Sequence, residues 1–208
     1  MDIASIAASL VILLFSVVIH ELCHGLAADA LGDHTARDMG RLTLNPLPHL
    51  DLFGSMLLPL FLYVAHSPIL FGAAKPVPVN LFNLRHPKRD TALVSLAGPA
   101  ANFVLAVIFA LPIRASLAAP GTLAFSILLK AAVLNIVLGV FNLIPIPPLD
   151  GSKVVASLFS EQFMYRIFAM ERFGFLLIIL FLYTGLIDRI LVPALRAVST
   201  VFLGFPAV

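Results

Sequence analysis

The run His20-Glu21-Leu22-Cys23-His24 sets two imidazoles at i and i+4, where helical Cβ atoms lie about 5–6 Å apart on one face. That spacing suits two histidine ligands on one Zn2+, with the intervening Glu21 available as general base. Cys23 points to a neighbouring face and reads as a small packing residue, because free cysteine commonly behaves as a buried small hydrophobe. On a surface helix such a motif recurs by chance. Here it sits inside an apolar run from Ile3 to Leu31, and a glutamate with two histidines at membrane depth is costly enough to mark a functional site.

A catalytic zinc usually takes three protein ligands and keeps one position for water. Asp38, Asp51, Asp90, His34, His49, His66 and His86 are scattered among loop-like segments. The strongest candidate is Asp150, in Asn142-Leu-Ile-Pro145-Ile-Pro147-Pro148-Leu-Asp150-Gly151. Three prolines there remove backbone donors and end the preceding helix. Irregular backbone at membrane depth is tolerated where it is buried in protein or lines a watery cavity, so an acid on it is well placed to reach a metal. The alternative makes Asp150 the N-cap of a helix from Ser152 onward. The remaining histidines read as solvated loop residues.

The elements that must position these groups are membrane helices. Of 208 residues 61% are hydrophobic and only 12% charged, with a mean hydropathy of +1.05; a soluble domain carries roughly 25% charge. One cysteine excludes a disulfide scaffold, and a net charge of +2 without a basic tract gives nucleic-acid binding no support. Apolar runs cover Ile3–Leu31, Leu52–Ala74, Thr91–Leu111, Leu123–Ile144 and Phe173–Ile187, with a last stretch, Ile190–Phe205, interrupted by Pro193 and Arg196. The first lacks a basic lead and carries charge in its second half, so it is retained rather than cleaved as a signal. His20 lies about 26 Å along it, inside the apolar slab near its exit.

These residues resemble the site-2 protease family of intramembrane zinc metalloproteases. The resemblance rests on His20-Glu21-x-x-His24 followed by Asn142-x-x-Pro145-x-x-Pro148-Leu149-Asp150-Gly151, with Gly40-Arg-Leu-Thr-Leu-Asn45-Pro46, Lys75-Pro-Val-Pro-Val-Asn80 and Leu96-Ala-Gly98-Pro99-Ala-Ala-Asn102 between them. It implies that His20, His24 and Asp150 bind one zinc per chain and that Glu21 activates water. It leaves residues after Phe159 unmatched. A leading extra helix, a PDZ-like domain and a nucleotide-sensing domain, found in larger members, are expected to be absent. Residues 1–153 read as the membrane-embedded protease core, and residues 154–208 as a C-terminal amphipathic segment and membrane helix of the same domain.

The expected fold is an all-α polytopic membrane protein of about four crossing helices, with a small β element near residues 40–46. For Asp150 to meet the histidines, the first run must exit where the third begins. Leu52–Ala74 should then be re-entrant or interfacial, with bends at Pro59 and Ser67-Pro68. Arg37, Arg41, Lys75, Arg85, Lys88, Arg89, Lys153, Arg166 and Arg172 then share one side, against Arg114, Arg189 and Arg196 on the other. By the positive-inside rule this puts the zinc towards the cytoplasmic face and the N-terminus outside.

The expected substrates are single-span membrane proteins, with or without trimming by another protease, in a prokaryotic cell membrane; no nucleic acid is involved. A substrate helix must open before attack. Arg41-Leu42-Thr43-Leu44-Asn45 alternates in polarity and reads either as an edge strand for the opened substrate or as an ordinary loop. Asn142 is a candidate contact to substrate or oxyanion, with helix packing as its alternative. Asn45, His49 and Asn80 could line a water path. The rival reading is a non-proteolytic zinc-binding membrane protein or transporter, which usually shows repeats absent here.

Overall fold

Three stretches are long and apolar enough to cross a membrane, Ala4–Ala30, Pro87–Arg114 and Leu123–Asn142, and they carry the architecture. The computed structural model describes residues 3–50 and 75–206. Along the chain run α1 (Ile3–Ala30), α2 (Thr35–Asp38), α3 (Pro87–Arg114), α4 (Leu123–Asn142), α5 (Asp150–Ser157), α6 (Glu161–Met170), α7 (Gly174–Tyr183) and α8 (Leu186–Leu203). At 1.5 Å per residue α1 and α3 are each about 42 Å long, enough to cross a hydrocarbon core about 30 Å thick and emerge.

Local chemistry sets the boundaries. α3 opens on Pro87, tolerated where no intrahelical donor is needed, and the buried Asp90 carboxylate accepts the His86 amide at 2.7 Å. Thr122 caps α4 by accepting from the Phe125 amide at 3.2 Å, and Ser160 caps α6 by accepting from Phe163 at 3.3 Å.

α3 and α4 pack antiparallel through Ala106, Ala110, Ala132 and Ile136, and α8 covers this core with Leu195 and Leu203. Small residues let the backbones approach, which replaces the hydrophobic drive that lipid cannot supply. α1 lies antiparallel to α3. Its exit and the start of α3 are neighbours, as expected: the Arg85 amide donates to Leu31 O at 3.4 Å, and Ala28, Leu84 and Val94 share one apolar cluster.

Two expectations change. Three described helices, not four, are long and apolar enough to span. The run Phe173–Ile187 is broken, because Gly185 takes a left-handed φ of +67° and separates α7, about 15 Å long, from α8. No strand forms among the described residues, and residues 40–46 run through turns and bends instead. There the Thr43 hydroxyl accepts the Asn45 amide at 3.1 Å and the Asn45 side chain accepts the Leu47 amide at 3.1 Å. Such local bonds turn the backbone away from an extended ladder. The run Leu52–Ala74, expected to be re-entrant or interfacial, lies outside the described residues, as do Asp51 before it and His66 within it.

Candidate metal centre

α1 carries His20 and His24 on the face that meets α3, and both rings are buried. The His20 Nδ1 proton is taken by Asn102 Oδ1 at 2.5 Å, and the His24 Nδ1 proton by Val94 O at 2.7 Å. Each ring is thereby held in the tautomer whose Nε2 carries a lone pair. The two Nε2 atoms stand 3.0 Å apart.

Asp150 completes a triangle. Its Oδ2 lies 3.1 Å from His20 Nε2 and 3.1 Å from His24 Nε2. Its position follows from the proline-rich turn between α4 and α5. Ile146 and Leu149 are buried there, and Gly151 presses so close that a Cβ on it would lie 2.2 Å from Leu143 O. Asp150 is the first residue of α5, with Leu149 at the N-cap position, so its carboxylate is turned to the histidines rather than spent as a cap.

Three acceptor atoms facing one another at 3.0–3.1 Å repel unless a cation lies among them. Ligands on a tetrahedral zinc at 2.0–2.1 Å stand roughly 3.3 Å apart, close to this spacing. The third wall is Gly98: a Cβ there would come within 2.3 Å of His24 Nε2 and 2.6 Å of His20 Nε2. The donor set of two imidazoles and a carboxylate therefore fits Zn2+.

Glu21 lies between the ligands in sequence and on a neighbouring face of α1. Its Oε2 accepts the Val77 amide at 2.8 Å. His20, Glu21, His24 and Asp150 line one cleft of about 670 Å3, with an apolar wall that includes Val17, Val77, Leu138 and Phe141. Asn142 lines it too, although its amide also donates to Leu138 O at 3.0 Å. Leu42, Thr43, Leu44 and Asn45 are not part of the lining.

Other sequence candidates fall away from the centre. Asp38 is exposed, Asp90 is engaged at the start of α3, and His34 pairs with Asp29 at 2.7 Å. His86 is exposed, as expected. His49 is not solvated: it is fully buried, because its Nε2 proton goes to Thr43 O at 3.0 Å and its carbonyl accepts the Lys75 amide at 2.9 Å.

Sequence reasoning missed a polar ladder behind His20. Asn102 Nδ2 donates to Asn135 Oδ1 at 2.9 Å, and Asn135 Nδ2 donates to Ser16 Oγ at 2.9 Å. All three are buried between α1, α3 and α4. The signal existed: Asn135 is an amide in the middle of an apolar run, costly for the same reason as the histidines. Asp33 was also missed. It is fully buried and accepts from the Asn80 amide at 2.6 Å, Asn83 Nδ2 at 2.9 Å and the Thr35 hydroxyl at 2.5 Å, tying the segment before α3 to the end of α1.

The family model described as Peptidase family M50 matches residues 8–119 and 112–182. The chain is 36% identical over 195 residues to "Putative zinc metalloprotease YwhC" of Bacillus subtilis, covering 89% of this chain and 84% of that protein. It is 33% identical over 177 residues to "Putative zinc metalloprotease Rip2" of Mycolicibacterium smegmatis, covering 85% of this chain and 66% of that protein. With "Putative zinc metalloprotease MJ0611" of Methanocaldococcus jannaschii it shares 31% over 115 residues, 54% of this chain and 58% of that protein. No solved structure matches the chain. Zinc is the metal that these relatives and this donor set have in common. The long apolar helices make the chain an integral membrane protein.

Proposed function

Because the chain belongs to Peptidase family M50, the site-2 proteases, we propose that it hydrolyses peptide bonds in or near the transmembrane segments of single-span membrane proteins. The observation that carries this reading is the placement of Glu21 in one cleft with the three converged acceptors of His20, His24 and Asp150. Substrates trimmed beforehand by another protease would be the easiest to admit. The basic residues clustered near the site support a membrane orientation with the zinc towards the cytoplasm and the N-terminus outside.

His20, His24 and Asp150 would hold the zinc, which when bound polarises the scissile carbonyl and acidifies its water. Glu21 takes a proton from the water as the oxygen bonds to the carbonyl carbon. The C–N bond then breaks, and Glu21 passes the proton to the leaving amine. One Glu21 oxygen is occupied by the Val77 amide, and the other has no protein donor among the described residues, which leaves it to meet water. The apolar wall excludes bulk water and seats an unwound hydrophobic segment. Asn142, which lines the cleft, would hydrogen-bond the substrate or its oxyanion. The pairing role considered for Leu42–Asn45 gains no support from the lining of the cleft.

Purified protein incubated with a panel of single-span substrates, beside Glu21→Ala, tests this reading. Products formed by the wild type and not by Glu21→Ala are expected. A zinc-loaded wild type that cleaves no member favours the non-proteolytic reading.

A further inference from the structure

The Val77 amide that donates to Glu21 sits in a segment built to hold it still. Lys75-Pro76-Val77-Pro78 has prolines on both sides of Val77. They fix their own φ and confine Lys75 and Val77, each preceding a proline, to extended backbone. The segment is pinned along its length. The Lys75 amide donates to His49 O at 2.9 Å, and the Asn80 amide to Asp33 Oδ2 at 2.6 Å. Arg41 Nη2 donates to Lys75 O at 3.0 Å and to Pro76 O at 3.3 Å.

Arg41 is an expensive way to hold two carbonyls. Its residue is 6% exposed, its Nε has no partner, and no carboxylate pairs with it among the described residues. Taking a guanidinium out of water is costly, and among the described residues its bonds go to these two carbonyls. Packing converges on the same place. Gly25 is four residues after Glu21 and so shares its face of α1. A Cβ on Gly25 would lie 2.9 Å from Val77 Cγ1 and 2.5 Å from Leu42 Cδ2. The bare glycine lets the 75–80 segment and the residue after Arg41 settle against α1 one turn beyond Glu21.

We propose that the Val77 backbone amide is a positioning group for Glu21, and that Arg41 is the positioning residue that fixes this amide through the carbonyls of Lys75 and Pro76. The proposal rests on the reading of Glu21 as the proton-transfer group. A glutamate has three rotatable side-chain bonds. An amide on one oxygen holds the carboxylate in a single orientation and presents the other oxygen to water.

Two experiments test it. The first reads no activity. Pro76 and Pro78 have no amide proton, so within Pro76-Val77-Pro78 only Val77 exchanges. Its hydrogen exchange in zinc-loaded protein in detergent is expected to be slow in the wild type and to rise about tenfold or more in Glu21→Ala and in Arg41→Gln, as a protected amide becomes free. Equal exchange in all three proteins overturns the proposal.

The second compares Val77→Pro with Val77→Ala on a cleaved substrate. Both remove the branched Val77 side chain, and only the first removes the N–H. Val77→Pro is expected to turn over about tenfold or more slowly than Val77→Ala, in kcat and not in KM, with zinc retained; supporting groups around metal sites typically act on this scale. Arg41→Gln should follow the same pattern, with partial rescue in Arg41→Lys. Matching kcat values, or a loss confined to KM, overturns the proposal. A wild type that cleaves nothing overturns the protease reading and this role together, whereas equal exchange with turnover intact sinks the positioning role alone.

Discussion

Asn102 Oδ1 accepts the Nδ1 proton of His20 at 2.5 Å across the α1–α3 interface, while its Nδ2 is committed to Asn135. The amide cannot flip without breaking both bonds. Substituting Asn102→Leu leaves a buried imidazole N–H without an acceptor and frees the ring to rotate. Zinc affinity should fall about 10- to 100-fold, the usual scale for losing such an outer partner. Competition with a calibrated chelator measures it. Asn135→Leu, one bond further away, should weaken zinc less; if the two variants match the wild type, the ladder has only a packing role.

Glu21→Ala should abolish cleavage with zinc still bound at one per chain. The three atoms that converge within hydrogen-bonding distance come from His20, His24 and Asp150, and Glu21 faces Val77 instead. Metal content by elemental analysis, read beside product formation, settles the roles. Loss of zinc from this variant would make Glu21 a ligand.

Asp150→Ala should lose both zinc and turnover. Only the two helical nitrogens would remain, one ligand short of the three that a catalytic site uses. Asp38→Ala should keep both, since Asp38 is exposed on α2. Full zinc in Asp150→Ala would mean that another group closes the shell.

How far the sequence could be read depended on whether a residue's partner is local or distant. His20 and His24 announce themselves because one helical turn relates them, and Asp150 because prolines and a glycine mark irregular backbone around it. The ladder of Asn102, Asn135 and Ser16 joins three helices, so no spacing along the chain reveals it. Arg41 read as part of either an alternating edge strand or an ordinary loop. Its alternation arises because Arg41 is buried under the 75–80 segment while Thr43 and Asn45 bond locally. The crossing at Phe173–Ile187 misled through composition alone: hydropathy counts Gly185 as neutral, but its left-handed φ ends the helix.

Asp33 predicts how stability responds to acid. Burial alone pushes its carboxyl up, but hydrogen bonds from Thr35, Asn83 and Asn80 outweigh that and hold it below the usual carboxylate range. A depressed folded pKa contributes stability that is complete above the unfolded value, about 3.9, and fades as pH falls through the folded value. The wild type should therefore lose stability below about pH 4 more steeply than Asp33→Ala. At neutral pH the variant should be weaker by about 1–3 kcal/mol, the cost of stranding buried donors. Thermal unfolding in detergent across pH checks both; parallel curves would show that Asp33 holds nothing.

Gly98→Ala isolates the space in front of the ligands. In a helix interior alanine is favoured over glycine by about 1 kcal/mol, so the substitution should not unfold α3. Its methyl group, however, would meet His24 Nε2 at 2.3 Å and His20 Nε2 at 2.6 Å, contacts that real carbon atoms do not tolerate. The imidazoles cannot simply swing away, because Asn102 and Val94 hold their Nδ1 atoms. Either α3 retreats from α1 or the two nitrogens move out of register with Asp150. Both spoil the triangle. The expected result is a protein that still folds, with a metal-free unfolding temperature at or somewhat below that of the wild type because overpacking offsets the helix gain, and with a zinc affinity at least about tenfold lower. Wild-type zinc binding in this variant would mean that the metal lies away from the Gly98 wall, and the centre built here from α1, α3 and α5 would have to be redrawn.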